Sequence, residues 1–279
     1  MKALMDVHVI NTGSCRHPEI MTRKDGKLKP INIPALAFLL VHPVEGPILF
    51  DTGYDPAFIE ATRPLPERAY AIVTPVDIPL GRSAAKQLRT HGYEASDIRH
   101  VILSHFHGDH IAGLHAFPNA NIHCSKSGLD KACGMGRVKG TRNGILKTLI
   151  PDDIHSRARF FEYGKEVSLA PDFIPFTTGI DLLGDTSILA IELPGHCPGH
   201  WGVVVREASG QYNFLVADAA WSSDALRKNV PPPWLTTAFL GETKTLRSTL
   251  WQLNQLATRN ADILLSPSHC PEVAVKSWT

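Results

Sequence analysis

The segment Ser104-His105-Phe106-His107-Gly108-Asp109-His110 places four potential metal ligands within six positions. It follows an apolar run at 100–103 that predicts a short buried strand, and it precedes a run that predicts the start of a helix. Imidazole nitrogens and carboxylate oxygens suit zinc and its first-row neighbours. A histidine-rich surface turn is the alternative interpretation, which the position between two buried elements disfavours.

The spacing within this segment favours two ions rather than one. Alternate side chains at the end of a strand point to the same side, so His105 and His107 can bind one ion. Gly108 lets the backbone turn without a β-carbon. Asp109 and His110 can then face a second ion.

Three further candidate ligands stand at the ends of predicted strands, namely His196, Asp218 and His269. Taken alone, a histidine in such a place is more often structural, and an aspartate is usually a turn former. Together with the histidine-rich segment they raise the number of candidate ligands to seven. That number suits two ions when one carboxylate bridges them.

The composition excludes several classes of function. The 279 residues include 28 Lys+Arg and 27 Asp+Glu, and a net charge of +1 provides no global field for nucleic acid or an anionic membrane. No run of about 18 apolar residues predicts a membrane span, and the first residues lack the long uncharged core of a secretory signal. Five cysteines in a chain of this size indicate reduced thiols. We expect one domain over 1–279, in the cytoplasm, that acts on a small molecule. The sequence leaves the oligomeric state open, and a dimer is one of the states that it allows.

The order of predicted elements indicates two packed sheets with helices outside. Apolar runs at 35–41 and 47–50 predict one hairpin, and runs at 201–206 and 212–217 predict another. Leucines at helical spacing predict a helix over 243–258. Strands, helix, strands, helix and strand in succession favour an αββα layering.

Three stretches are predicted to lack regular structure. The first strand is expected to break at 11–14, where Asn, Gly and Ser occur together. The stretch 54–81 carries five prolines, and 126–160 is rich in glycine and basic residues. Long irregular segments are usually functional or disordered, so both are candidates for the walls of a substrate pocket.

The five motifs of the chain resemble those of the metallo-β-lactamase superfamily of dinuclear hydrolases. They are Phe50-Asp51-Thr52-Gly53, the segment from Ser104 to His110, Leu193-Pro194-Gly195-His196, Ala217-Asp218 and Ser268-His269. The resemblance implies an α+β fold, an αββα sandwich of two mixed β-sheets flanked by helices. It also implies two zinc ions, or other divalent first-row metals, with His105, His107 and His196 on the first, Asp109, His110 and His269 on the second, and Asp218 bridging both.

Within that superfamily the chain is most similar to the N-acyl-homoserine lactone lactonases, because the string from Pro194 to His200 follows their pattern. Asp51 and His200 are expected to steady the ligands from behind. The chain departs from the pattern at Trp221, where similar lactonases often carry a tyrosine three residues after the bridging aspartate. Three aromatic side chains are candidate walls of the substrate pocket, with packing in the core as the alternative: Phe106, Trp221 and Trp234.

The resemblance implies a zinc-dependent hydrolase in which a metal-bridging hydroxide attacks a lactone or carboxylic ester, with Asp109 and Asp218 as the catalytic carboxylates. A glyoxalase II-like thioester hydrolase is one alternative, disfavoured because the tail after His269 has only Lys276 as a basic residue. A phosphodiesterase is another alternative, because a group of basic residues could bind a substrate that carries phosphate. They are Lys126, Lys131, Arg137, Lys139, Arg142 and Lys147. A non-catalytic metal-containing sensor or accessory protein is the alternative from a different class.

Overall fold

The computed structural model describes residues 3–237 and 241–275, and Lys276 lies outside them. Its strands are β1 (Asp6–Pro18), β2 (Pro30–His42), β3 (Gly46–Phe50), β4 (Val76–Asp77), β5 (His100–Ile102), β6 (Asn121–Cys124), β7 (Ala158–Phe160), β8 (Lys165–Ser168), β9 (Thr178–Asp181), β10 (Leu189–Glu192), β11 (Trp201–Arg206), β12 (Tyr212–Ala217) and β13 (Ile263–Pro267). Its α-helices are α1 (Pro56–Ala61), α2 (Arg68–Val73), α3 (Ala84–Gln87), α4 (Gly108–Ile111), α5 (Lys126–Gly134), α6 (Arg137–Arg142), α7 (Ile154–Arg157), α8 (Ser223–Arg227), α9 (Trp234–Thr237), α10 (Thr243–Arg259) and α11 (Pro271–Ala274).

The strands form two mixed sheets. Within the described residues, the first sheet has seven strands in the order β4-β1-β2-β3-β5-β6-β7, and the second has six in the order β13-β12-β11-β10-β9-β8. In the first sheet β1, β2 and β3 run antiparallel, whereas β3, β5, β6 and β7 are parallel. In the second sheet only β12 and β13 are parallel. The predicted αββα sandwich of two mixed sheets is confirmed.

The core explains why β2 reads as a continuous apolar run. Leu36, Phe38 and Leu40 pack between the two sheets, and the residues that alternate with them pack against the outer helices. A strand buried on both faces has no polar side, so its sequence does not alternate. Both predicted hairpins are confirmed, as β2 with β3 and as β11 with β12.

The predicted long helix is also confirmed, as α10, with 17 residues. Leu246, Leu250 and Leu253 are buried against the outer face of the second sheet. Among the described residues, no helix combines the length and the apolar character needed to cross a membrane.

The first strand does not break where the sequence predicts. β1 runs through Asn11 and Gly13 with a shift of register between them, which is a bulge rather than an end. Gly13 adopts a φ of +144°, which glycine tolerates. The hydroxyl of Thr12 donates to the carbonyl of Ala35 on β2 at 3.0 Å, so the bulge stays tied to the sheet.

The two stretches predicted to be irregular contain short helices. Residues 54–81 hold α1, α2 and the short strand β4, and residues 126–160 hold α5, α6, α7 and β7. Helices of four to nine residues are too short to show a clear apolar period, and they depend on tertiary packing. The Arg137 guanidinium joins the two stretches through the Glu67 carboxylate at 2.7 Å.

The amino-terminal half of α10 fixes the loop that follows β10. The backbone N–H of Glu242 donates to the Gly195 carbonyl at 2.9 Å, and the Thr249 hydroxyl donates to the Pro194 carbonyl at 2.6 Å. Gly195 has a φ of +120°, and a β-carbon there would lie 2.1 Å from the backbone nitrogen of Leu246. Only glycine fits this close approach, and the next residue is His196.

We therefore predict that Gly195→Ala lowers the free energy of unfolding by about 2 kcal/mol or more, because the added carbon meets backbone in a conformation that is already strained. Gly134→Ala is the matched control, since no atom lies within 4 Å of the position for its β-carbon. That variant should stay within about 1 kcal/mol of the parent protein. Urea denaturation of both variants measures the free energy of unfolding. Equal values for the two variants would show that the close approach of α10 to Gly195 does not require glycine.

Candidate metal centre

The seven predicted ligands meet at one edge of the sandwich. His105 and His107 follow β5, and Asp109 and His110 lie in the single turn of α4. The other three follow strands of the second sheet or their connecting loops, namely His196 after β10, Asp218 after β12 and His269 after β13. The structure thus brings together residues from four separate parts of the chain.

Three imidazoles form the first ligand group. The Nδ1 atom of His107 lies 3.0 Å from His105 Nε2 and 3.0 Å from His196 Nε2. All three side chains are buried. Burial lowers the pKa of each, that of His107 to about 4, so the rings are neutral at pH 7 and can offer lone pairs to a metal.

Two imidazoles and a carboxylate form the second group. His269 Nε2 lies 3.3 Å from Asp109 Oδ2, and His110 Nε2 lies 3.8 Å from the same oxygen. Burial disfavours the charged form of His110, but the carboxylates of Asp218, Asp51 and Asp109 outweigh it and raise the pKa of His110 to about 10. This group therefore lies in a field that favours positive charge.

Asp218 lies between the two groups. Its Oδ1 atom is 3.2 Å from the Nε2 atoms of both His110 and His269, whereas its Oδ2 atom is 3.3 Å from His196 Nε2. Each carboxylate oxygen thus faces a different ligand group. This is the arrangement that a bridging ligand between two ions requires.

The donor atoms fit a divalent metal. His110 Nε2 and Asp218 Oδ1 are buried and lie 3.2 Å apart, yet neither has a hydrogen bond of good geometry among the described residues. Such atoms are costly unless something binds them. The donors are nitrogen and oxygen only, apart from the nearby Cys197 thiol, and they fall into clusters whose ligand atoms lie within 4.8 Å of one another. Zinc and similar first-row ions prefer such a set.

Asp51 and Ser104 orient two of the ligands. Asp51 Oδ2 accepts a hydrogen bond from His110 Nδ1 at 2.8 Å and another from the Ser104 hydroxyl at 2.7 Å. The Ser104 oxygen therefore accepts from His105 Nδ1 at 2.9 Å. These contacts engage the Nδ1 atom of both imidazoles, so Nε2 is the atom that each ring would present to a metal. The sequence analysis missed Ser104, although its place beside His105 was visible.

Hydrogen bonds also position two other candidate ligands, Asp218 and His269. His200 donates from Nδ1 to the Leu193 carbonyl at 2.9 Å, and its Nε2 atom accepts the backbone N–H of Asp218 at 3.1 Å. His269 donates from Nδ1 to the Pro34 carbonyl at 2.7 Å. Asp51 and His200 thus contact candidate ligands, and neither lines the cavity described below.

A cavity of about 460 Å³ opens onto this centre. Its walls include residues from β1, α2, α6 and the segment around α9, together with ligands from both groups. Trp221 lines it, with its ring centroid 6.1 Å from that of His196 and 6.4 Å from that of His269.

The other two candidate aromatic walls lie elsewhere, which corrects that expectation. Phe106 is buried in the core under the first sheet and does not line the cavity. It stands between two ligands on an extended segment, so its side chain points to the opposite side. Trp234 is 61% exposed, and its neighbours Leu235 and Thr236 line the cavity instead.

Three of the six basic residues of 126–147 are engaged by other residues of the protein. Lys126 pairs with Asp130, Arg137 pairs with Glu67, and Lys147 donates to the Cys133 carbonyl. Of the six basic residues in this stretch, Arg142 lines the cavity. The structure therefore gives little support to a phosphate-binding patch over the centre.

Comparisons with known proteins identify a family and relatives to which this chain is similar. The model of the family "Metallo-beta-lactamase superfamily" matches residues 32–256. A probable metallo-hydrolase of Mycobacterium bovis is 27% identical over 85% of this chain and 72% of its own length. The N-acyl homoserine lactonase AiiA of Bacillus thuringiensis subsp. kurstaki is 28% identical over 74% of this chain and 71% of its own length.

A solved structure of similar fold is an N-acyl homoserine lactone hydrolase with the product N-hexanoyl-L-homoserine bound at its catalytic metal centre. It superposes with a TM-score of 0.72 and 20% identity, covering 98% of this chain and 95% of that chain. At this identity the likeness shows the fold alone.

We predict that His200→Ala lowers the affinity for metal about 10–100-fold, because the Asp218 backbone loses the acceptor that positions it. Competition with a chromogenic chelator measures the affinity. His155→Ala, an exposed histidine on α7, is the matched control and should bind metal as the parent does. Equal affinities in the two variants would show that His200 does not position Asp218.

Proposed function

Because this chain belongs to the metallo-β-lactamase superfamily, we propose that it binds two zinc ions and hydrolyses a lactone or related carboxylic ester. The prediction of a metal-dependent hydrolase is confirmed at the level of the superfamily and of the metallo-hydrolases among its relatives. The observation that carries the proposal is Asp218, whose two oxygens face separate ligand groups beneath one cavity.

The donor set supports two ions and favours zinc. Three neutral imidazoles form one group, and Asp109, His110 and His269 form the other, with Asp218 shared. Zinc bound there would lower the pKa of water and polarise a carbonyl oxygen. The protein contributes fixed ligand positions, because hydrogen bonds behind His105, His110 and His269 determine which nitrogen each presents.

The cavity supports an uncharged organic substrate with an apolar part. Its walls include Ile33, Tyr70, Val73, Trp221 and Leu235, and its volume of about 460 Å³ lies in the range of small-molecule pockets. The relatives of this chain include N-acyl homoserine lactonases that are 26% and 28% identical to it. A lactone with an acyl chain has the carbonyl and the apolar tail that this site would accept.

In the proposed reaction a bond forms between the oxygen of water and the carbonyl carbon, and the bond from that carbon to the ring or ester oxygen breaks. The proton of the water passes to the leaving oxygen. Asp218 is the group placed to carry it, since its carboxylate lies between the two ligand groups and lines the cavity. Asp109 holds His269 and so shapes the same side of the site.

We predict that the purified protein binds two zinc ions per chain, because the seven ligands form two groups with one shared carboxylate. Asp218→Ala should lose most of both ions and the activity together. Asp172→Ala, which removes an exposed carboxylate, should retain both ions. Metal analysis measures the stoichiometry, with circular dichroism as the check on folding.

A stoichiometry of one ion or none after reloading with excess zinc would contradict the dinuclear site. Two bound ions without turnover of any substrate tested would instead support a metal-containing sensor or accessory protein. These outcomes separate the metal site from the reaction.

We predict that acyl lactones or aryl esters are hydrolysed with kcat/KM about tenfold or more above bis-aryl phosphodiesters and glutathione thioesters. The physical reason is the apolar wall of the cavity, which Arg142 alone of the six basic residues of 126–147 lines. Steady-state kinetics with one substrate of each class measures the preference. A preference for the phosphodiester or the thioester would replace this function with one of the two enzymatic alternatives.

A further inference from the structure

Tyr54 occupies an unusually constrained position in the cavity wall. Its backbone N–H donates to the Thr12 hydroxyl at 2.8 Å, and the same hydroxyl donates to the Ala35 carbonyl on β2. The preceding Gly53 has a φ of +64°, and a β-carbon there would lie 2.2 Å from the Thr12 oxygen. The backbone of Tyr54 is therefore tied to the first sheet.

The ring of Tyr54 is fixed as firmly as its backbone. It packs edge-on against the Phe58 ring at a centroid distance of 4.9 Å, and Phe58 packs edge-on against Tyr70 at 5.6 Å. Tyr54 is fully buried, yet it lines the cavity that opens onto the metal centre. Little entropy would be lost when such a side chain binds a ligand.

The hydroxyl of Tyr54 is buried and has no hydrogen-bond partner of good geometry among the described residues. The Cys15 thiol interacts with it, but burial raises the pKa of Cys15 to about 11, so at neutral pH the sulfur is a weak acceptor. A buried phenol that is poorly satisfied costs about 1–3 kcal/mol, and phenylalanine would fill the same space without that cost. A rigid donor with so weak a partner, at the wall of a cavity, points to an acceptor on the bound molecule.

Tyr54 lines the same cavity as the candidate ligands Asp109 and Asp218. Burial raises the pKa of Tyr54 well above its usual value, and the Asp109 carboxylate adds to this effect. The phenol therefore keeps its proton at neutral pH and can serve as a donor throughout the working range. Cys15 and Tyr70 are the other titratable neighbours that act on it.

We propose that the Tyr54 hydroxyl donates a hydrogen bond to the oxygen of the substrate carbonyl on which charge develops during hydrolysis. This inference rests on the proposed carboxylic ester or lactone hydrolysis. It assigns to Tyr54 direct contact with the substrate, with no transfer of its proton. A donor placed in advance stabilises the transition state more than the ground state.

Tyr54→Phe removes only the hydroxyl and tests this assignment. With N-hexanoyl-homoserine lactone as substrate, kcat should fall about tenfold or more, while KM stays within about twofold because the lost interaction belongs to the transition state. Zinc content should be unchanged. The free energy of unfolding should be equal or higher, because a poorly satisfied buried donor is removed. Tyr163→Phe, with a ring 72% exposed on the surface, is the matched control and should match the parent protein in all four quantities.

The outcomes separate the two proposals. A parent protein that hydrolyses no lactone or ester would overturn the proposed function itself. A parent protein that is active, with an unchanged kcat in Tyr54→Phe, would overturn the role of Tyr54 alone. A lower free energy of unfolding or lost zinc in Tyr54→Phe would assign the hydroxyl a structural role instead. A larger fall in kcat for Tyr70→Phe than for Tyr54→Phe would move the donor to Tyr70 and also overturn this assignment.

Discussion

The burial of Asp218 among imidazoles is the constraint on which this site depends. A carboxylate removed from water needs positive charge and hydrogen bonds around it. Asp218 has His110 and His269 on one side and His196 on the other, with its backbone held by His200. Apolar residues of similar volume often leave a protein equally stable or more stable than such a buried group of charged and polar side chains. The binding of ions, rather than stability, therefore explains why Asp218 and the imidazoles occupy this place.

The fold meets this constraint by placing the ligands at strand ends rather than in long loops. The backbone is strained at two strand ends near the ligands, since Asp51 has a φ of +59° and Ala217 has a φ of +45°. Strain of this kind persists only where the surrounding structure holds it. Here neighbouring strands supply that support, because the Asp51 N–H donates to the Ile102 carbonyl and the Ala217 carbonyl accepts from the Ser268 N–H.

The sequence predicts that these side chains meet because the information is local. The spacing from His105 to His110 and the strand-end positions of His196 and Asp218 are visible without a structure. The same spacing implies that Phe106, between two candidate ligands, points away from them, which the sequence analysis did not use. Contacts between distant residues leave no such signal. The Glu67–Arg137 pair joins two stretches that were predicted to be irregular, and no local pattern records that Trp234 is exposed outside the cavity.

The candidate ligands and the outer cavity wall stand on different kinds of structure. The ligands are placed by the strands, whereas the wall that would contact a substrate is formed by short helices. The ligands stand on strands of two sheets with a shared apolar core, so small changes there disturb metal and fold together. The outer cavity wall stands on α2, α6 and α9, each of four to six residues and held mainly by side-chain contacts such as the Glu67 carboxylate with Arg137. Short helices of this kind have little stability of their own. Substitutions at Val73 or Leu235 can therefore reshape the cavity while the strand ends keep the candidate ligands in place, so this wall is the part of the structure that sets the shape of molecule the cavity can hold.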